Sequence, residues 1–362
     1  MVIKTYNKNQ LSEFIDSDFY RILSRVPISY HRAVSQLHNP YADEEDVLLW
    51  VAYENAATVG YLGVLPDKWD TGEIQADIRW LSCFWVDENH RQNNVASTLM
   101  MSMLREHKHQ LMISNFLFSL EESYQKIGVF HPICYKHGVD LYIRARFTRL
   151  IVSKYPRLNK LKAFIASTET LVNQLFSFWQ WIHPRLKTSE SMKIDASFDE
   201  ELDAFLLAYT SANHLNRRTA SYFKWIYEYR WVLEGKKDKQ SDRYYFSSVS
   251  DRFTYLPVKI YDTTNTLTGF ALLKIRDNNL TVSFLYADDR DLENLANYIF
   301  NLVKSEHIDV ISCFDTRLCH YLLKAKSRYI IKRKRRQPYL VPLPLNCDLT
   351  VIQEGEGDSV FT

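Results

Sequence analysis

The stretch Ile78–Leu104, IRWLSCFWVDENHRQNNVASTLMMSML, constrains the fold of this chain more than any other. Ile78–Val86 is apolar at almost every position, the pattern of a strand buried on both faces. Asp87–Asn94 is a short polar turn rich in Asp, Asn and His. After it Val95, Leu99, Met100, Met103 and Leu104 lay one apolar stripe along a helix. A strand that runs through a tight turn into a helix makes a place where anions bind, because the first backbone N–H groups of a helix have no partner within it. Arg91 adds a guanidinium that can fork onto a phosphate.

Elements of matching character surround this anchor. Val2–Tyr6 reads as a strand and Asn9–Leu23 as a helix, with Leu11, Phe14, Ile15 and Phe19 on one face. Val47–Tyr53 and Val59–Leu65 are strands around the polar turn Glu54–Thr58, a hairpin signal. Leu111–Leu120 is an apolar run, Glu121–Ile127 a short helix and Val139–Phe147 a strand. At 362 residues the chain is long for one domain and comfortable for two.

From Leu150 to about Lys193 the pattern changes to a helical stripe of Leu158, Leu161, Phe164, Ile165, Leu171, Val172, Leu175, Phe176, Trp179 and Ile182. Such stripes usually face a core, so the expectation is a connecting helix packed on both domains. The alternative is an interfacial helix over 158–182, a peripheral membrane contact with Trp179 and Trp181 at headgroup depth and Lys154, Arg157, Lys160 and Lys162 beside it. Glu169, Asn173, Gln174 and Gln180 rule out a membrane span.

The second half repeats the order of the first. Leu267–Ile275 and Leu280–Ala287 read as strands, Asp288–Lys304 as a helix, Ile308–Phe314 as a strand, Arg317–Lys324 as a helix and Tyr329–Val341 as a closing pair. Trp85-Val-Asp and Tyr286-Ala-Asp fall at equivalent points, as do Tyr124 and Tyr321. This pseudo-repeat points to two tandem domains of one kind. The turn Asp288-Asp-Arg-Asp-Leu-Glu carries carboxylates that would repel a diphosphate, so only the first copy is expected to hold one. The tail Glu354–Thr362 is acidic and reads as frayed.

The run Val86-Asp-Glu-Asn-His-Arg-Gln-Asn-Asn-Val-Ala96 resembles the acetyl-CoA pyrophosphate loop of the GNAT acetyltransferases, Gln/Arg-x-x-Gly-x-Gly/Ala after a strand ending in Val. Arg91 matches the first position of that loop and Ala96 the last, while Asn94 stands where the family has glycine. Asn is the non-glycine residue that best tolerates positive φ, so a turn that needs only the left-handed region survives the exchange. If the glycine serves to let the backbone touch the diphosphate, the Asn side chain obstructs it. Ser123-Tyr-Gln-Lys-Ile-Gly-Val-Phe130 resembles the family's Tyr-x-Lys-x-Gly-Phe signature, with one residue inserted before Phe130. The resemblance implies a mixed α/β sheet whose fourth and fifth strands splay apart, with acetyl-CoA as co-substrate wedged between them.

It also implies direct attack of an acceptor amine on the thioester. Cofactor binding falls to Phe84, Trp85 and Val86, whose amides face the carbonyl, and to Arg91, Gln92, Asn93, Asn94, Val95 and Ala96, which face the diphosphate. The tyrosine matched by Tyr124 protonates the departing thiolate. For a general base, Asp77 and Glu73 are the nearest carboxylates in sequence to the expected acceptor site. Some multi-domain relatives use the C-terminal carboxylate, which makes Thr362 a remote candidate.

Composition narrows the classes. Net charge is only +2, so no global field argues for nucleic acid, and 9 Gly with 10 Pro argue against repeats or disorder. The local run Lys332-Arg-Lys-Arg-Arg336 reads first as a solvated edge strand guarded against aggregation, with a nucleic-acid or anionic-lipid patch as the alternative. Cys83, Cys134, Cys313, Cys319 and Cys347 form no CxxC pair and read as buried small hydrophobes in a reducing compartment. No metal-ligand spacing, P-loop or nucleophile elbow occurs. With no signal-peptide h-region at the N-terminus, the cytoplasm is the expected location.

The reading is therefore an α/β chain of two tandem GNAT-like domains: 1–149 binding acetyl-CoA, a helical linker 150–195, a degenerate copy 196–345 and a tail 346–362. Its expected function is acetyl-CoA-dependent N-acetylation of a small-molecule amine, such as an amino sugar or cell-envelope precursor, bound between the domains. An aminoacyl-tRNA-dependent transferase of tandem-GNAT type and a non-catalytic interaction module stay open as alternatives.

Overall fold

Asn55 and Ala56 both adopt left-handed backbone angles, φ 48° and 62°. Two such residues make the tight turn whose twist matches that of the strands it joins, and they close the hairpin expected around Glu54–Thr58. The computed structural model describes residues 1–70, 75–107, 109–146, 148, 155–182, 186, 192–209, 217–345 and 352–362. The main elements of the first half are β1 (Val2–Asn7), α1 (Lys8–Asp16), α2 (Asp18–Ile22), α3 (Tyr30–Leu37), β2 (Val47–Glu54), β3 (Ala57–Asp70), β4 (Gln75–Val86), α4 (Val95–His107), β5 (Leu111–Ser114), α5 (Glu121–Gln125) and β6 (Cys134–Tyr142). Then follow α6 (Lys162–Ile182), β7 (Met192–Ile194), α7 (Glu200–Tyr209), α8 (Ala220–Glu228), β8 (Phe253–Tyr261), β9 (Leu267–Arg276), β10 (Asn279–Ala287), α9 (Asp289–Ser305), β11 (Val310–Cys313), α10 (Thr316–Lys324) and β12 (Ile331–Leu340).

The chain forms two compact units, one of residues 1–136, 196–255 and 336–362, the other of 137–195 and 256–335. In the first, the strand order is β1-β2-β3-β4-β5, with the 336–340 end of β12 beyond β5. β1 to β4 are antiparallel; β4 and β5 are parallel and pair only at Arg79–Leu111 and Trp80–Met112. Beyond that point the two strands separate. α4 lies across the sheet with Val95, Leu99 and Met103 buried. It comes so close at Gly60 that a Cβ there would stand 2.7 Å from Val95 Cγ1.

In the second unit the order is β7-β8-β9-β10-β11-β6. An antiparallel pair with a register shift (β9–β10), a helix (α9) and a parallel strand (β11) recur here in the order of β3–β4, α4 and β5. The sheet of each unit ends on a strand from the other half of the chain, β12 on β5 and β6 on β11. Contacts therefore divide the chain into interleaved rather than consecutive segments.

Several elements depart from expectation. The helix foreseen over Asn9–Leu23 is two helices, because Ser17 breaks it: its hydroxyl donates to Phe14 O (2.6 Å) and accepts from Tyr20 N (3.2 Å), capping the second. The apolar run from Leu111 is a strand only to Ser114, where Asn115 turns left-handed (φ 54°). The strand expected over Val139–Phe147 begins at Cys134, and Tyr329–Val341 yields one strand rather than a pair. α6 buries only part of its apolar stripe: Ile165, Val172 and Phe176 are half-buried, whereas Phe164, Leu171 and Leu175 are exposed.

The tail is the largest correction. Ile352, Glu356, Gly357, Ser359, Val360 and Phe361 are buried, not frayed. Gly357, at φ 67°, passes over the Trp80 ring so closely that a Cβ would sit 2.7 Å from Cδ2. Phe361 stacks on Trp231 at 4.4 Å and meets Trp225 edge-on at 5.0 Å. Cys83, Cys313 and Cys319 are free and buried as expected, whereas Cys134 is disulfide-bonded and Cys347 lies outside the described residues.

Candidate active site

Strand β4 changes character near its end. Its pairing with β3 jumps from Gly63–Ser82 to Tyr61–Trp85, so Cys83 and Phe84 together oppose one residue, and Cys83 takes φ 49°. This bulge re-aims the last turn of strand. Phe84 and Val86 join the cluster under α4, while Trp85 joins Tyr61 and Tyr244 on the opposite face. The turn that follows is pinned by His90, whose ring nitrogens lie 3.1 Å from Asp87 Oδ1 and 2.9 Å from Glu54 Oε2. The hydrogen bond to Asp87 raises the His90 pKa.

Asn94 has φ 57°, so the backbone takes the left-handed turn that its place in the loop requires. Its carbonyl accepts from Thr98 N at 2.9 Å, opening α4. Among the described residues nothing accepts from the amides of Val95, Ala96 and Ser97. Arg91, Gln92, Asn93 and Asn94 are all exposed. Among the described residues the Arg91 guanidinium is held by Glu88 alone, at 3.2 Å, a solvent-exposed pair of the kind that contributes little, and it can be recruited by an anion.

Tyr124 sits in α5 with its ring against Phe116 (5.3 Å), in the cluster that contains Val95, Leu99, Phe84 and Val86. Burial pushes its phenol up to about 12. The fold thus gathers Tyr124, the strand end and the helix start. It does not bring Asp77 to them. Asp77 is exposed at the far end of β4 opposite Lys68, and its separation from Phe84 is roughly 23 Å at about 3.3 Å per residue. Glu73 lies outside the described residues.

The carboxylates near the bulge come instead from the tail. Ser82 Oγ donates to Asp358 Oδ2 at 2.6 Å from the β4 side, and Asn115 Nδ2 donates to Ser359 Oγ at 2.7 Å from the β5 side. The tail therefore bridges the two diverging strands. Arg32, fully buried, donates to Ser82 Oγ and to Tyr244 Oη (2.8 Å). Burial works against its charge, and the carboxylate of Asp358 favours it. Next to this network Arg218 forks onto Asp67 (2.6 and 2.8 Å) and also donates to Glu356. Asp67 accepts from Trp80 Nε1 as well (2.9 Å). Burial pushes Glu356 up to about 7, with Arg218 and, more weakly, Lys136 opposing it and the charge of Asp67 adding to it.

An open cleft of about 220 Å³ lies on the Trp85 side, lined by Arg25, Lys237, Asp242, Tyr244, Tyr245 and Ser248 among others. Arg25 stands over the Trp85 ring (5.6 Å) and Tyr245 lies 5.8 Å from it. A polar chain runs from the cleft through Tyr244 and Arg32 to Ser82 and Asp358. No local pattern announced Arg32, Tyr244 or Asp358. Of the basic run, Lys332–Arg336 is exposed, Arg335 pairs with Asp140 (2.9 Å) and Arg336 stands over the Phe118 and Tyr135 rings (4.6 and 4.9 Å).

The sequence pattern of the Acetyltransferase (GNAT) family matches residues 11–128. No match is found among curated proteins. Among solved structures, the chain is similar to a probable N-acyltransferase from Enterococcus faecalis, 9% identical with a TM-score of 0.53, the match covering 93% of this chain and 72% of that one. Two further similarities have a TM-score of 0.49: Saccharomyces cerevisiae N-myristoyltransferase with bound myristoyl-CoA (11% identity, 93% of this chain, 82% of that one) and a GCN5-related N-acetyltransferase from Anabaena variabilis (10%, 94%, 72%). The first supports the fold.

Proposed function

We propose that this protein, whose residues 11–128 match the Acetyltransferase (GNAT) family, transfers an acetyl group from acetyl-CoA to an amine acceptor. The observation that carries this reading is the separation of β4 from β5 beyond Trp80–Met112, with the uncommitted amides of α4 beside it. The diphosphate takes the amides of Val95, Ala96 and Ser97 and the guanidinium of Arg91. The thioester lies along Phe84–Val86, where the bulge frees a backbone amide for the carbonyl oxygen. The second unit repeats the arrangement as a cofactor-free counterpart, because Asp288, Asp289 and Asp291 crowd the start of α9.

The acceptor enters from the cleft beside Trp85. Asp358 takes a proton from its ammonium, directly or through water, leaving a nitrogen lone pair that attacks the thioester carbon. The new C–N bond forms as the C–S bond breaks, and Tyr124 gives its proton to the departing sulfur. Asp358 replaces Asp77 as base, since only the former stands at the bulge.

Calorimetric titration with acetyl-CoA tests the reading. We expect micromolar binding, weakened roughly tenfold by Arg91→Ala, the lower end for a lost charge-assisted hydrogen bond at an exposed site. Absence of heat with the intact protein would sink it.

A further inference from the structure

Helix α6 is docked by Glu169, Asn173 and the half-buried Phe176, which packs against the core of its unit, and it shows Phe164, Leu171 and Leu175 to solvent. Asn173 clasps the backbone of Ala145, accepting from its N at 2.7 Å and donating to its O at 3.1 Å, and Glu169 accepts from Thr148 N at 2.7 Å. These inward positions are four residues apart, one turn of a single helix face. Facing the other way, Phe164 is 73% exposed, Leu171 57% and Leu175 62%. At about 100° per residue, those side chains stay within roughly 40° of one another. The helix thus carries a second apolar face, turned to solvent, besides the half-buried flank of Ile165, Val172 and Phe176.

The hydroxyls on and beside this outward face are already satisfied, and Gln174 is exposed on its flank. Thr168, between Phe164 and Leu171, donates its hydroxyl to Phe164 O at 3.0 Å, and Ser167 and Thr170 do the same to Ala163 O (3.0 Å) and Ala166 O (2.9 Å). Hydroxyls that bring their own acceptors leave no stranded donor when the face moves out of water. Exposed cations precede the stripe: Arg157, Lys160 and Lys162. The carboxylate of Glu169 is committed inward.

We propose that this face of α6 lies in the plane of an anionic membrane surface, its apolar stripe sunk among the headgroups and its basic start on lipid phosphates. The charge pattern selects the occupant. A second copy packed antiparallel on this face would leave the basic starts at the two ends of the seam without partners, whereas anionic lipid complements the exposed cations beside the stripe. No helix among the described residues is long and apolar enough to cross a membrane, so the contact is in-plane. The side chains of Trp179 and Trp181, and Lys154, lie outside the described residues and take no part in the argument.

The test is co-sedimentation of the full chain with phosphatidylglycerol/phosphatidylcholine vesicles, against phosphatidylcholine alone, with oligomeric state followed by light scattering. The expected result is binding to the anionic vesicles, reduced roughly tenfold on neutral ones and on raising salt from about 0.05 to about 0.5 M. The Phe164→Ser/Leu175→Ser double variant loses binding roughly tenfold while its thermal midpoint stays within about 2 °C. Lys160→Glu/Lys162→Glu, which leaves the stripe untouched, weakens binding to anionic vesicles alone. The proposal is overturned by absence of binding to anionic vesicles, by undiminished binding of the serine variant, or by a dimer that this variant converts to monomer.

Discussion

Ser82 in β4 donates its hydroxyl to Asp358, 2.6 Å away and 276 residues later in the chain. One short hydrogen bond thus fixes a carboxylate beside the bulge at Cys83 and, with Asn115–Ser359, spans the opening between β4 and β5.

If Asp358 removes the acceptor's proton, Asp358→Asn lowers the acetylation rate at least about a hundredfold, since a positioned general base contributes roughly 10²–10⁴. The amide oxygen of Asn still accepts from Ser82, so the affinity for acetyl-CoA stays within about twofold. Steady-state rates across pH, set beside calorimetric binding, check both halves. A variant that turns over at the wild-type rate leaves Asp358 as a strut only.

Arg218 pairs with two buried carboxylates, and the more remote charge of Lys136 also acts on one of them, Glu356. Asp67 has the forked pair and the Trp80 indole, so the surplus proton belongs to Glu356, which burial raises from 4.5 to about 7. Between those values the folded protein holds a proton that the unfolded chain has released. Stability therefore falls as pH rises through that window, by about 3 kcal/mol at most. Glu356→Gln keeps an acceptor for Arg218 and removes the titration. Thermal midpoints at pH 5 and pH 8 should show the variant losing less than the wild type; equal losses would contradict this charge count.

Tyr124→Phe keeps the ring that packs on Phe116 and removes the proton donor. We expect kcat to fall roughly ten- to a hundredfold with the thermal midpoint within about 2 °C. Because burial holds the phenol protonated up to about 12, the wild-type rate should show no alkaline decline from this group below pH 10. Wild-type kcat in the variant removes Tyr124 from the reaction.

How far these features were legible in the sequence follows from where their partners lie. The strand, turn and helix from Ile78 to Leu104 were readable because each is set by neighbours a few residues away, and Asn94 does adopt the positive φ its position demands. Asp358 and Glu356 were not, since their partners Ser82 and Arg218 lie 276 and 138 residues distant and no periodicity encodes such a pairing. The stripe on α6 was visible, but not its direction. That was set by Asn173 and Glu169 bonding the backbone of Ala145 and Thr148 and by Phe176 packing on the core, contacts that composition does not announce.

Asn94 itself yields the sharpest test of the diphosphate site. At φ 57° its backbone costs free energy that glycine does not incur, on the order of 1 kcal/mol for a non-glycine residue. The side chain is exposed, beside the amides of Val95 and Ala96 that the diphosphate would occupy. Asn94→Gly therefore relieves strain and clears the approach, and should tighten acetyl-CoA severalfold without changing affinity for an acetyl-pantetheine fragment that lacks the diphosphate. Asn94→Asp keeps the shape but sets a negative charge against the phosphates, and should weaken acetyl-CoA roughly tenfold at low salt and less at high salt. Paired calorimetric titrations with the full co-substrate and the fragment separate the two effects. If both variants bind acetyl-CoA as the wild type does, the diphosphate does not rest on this turn.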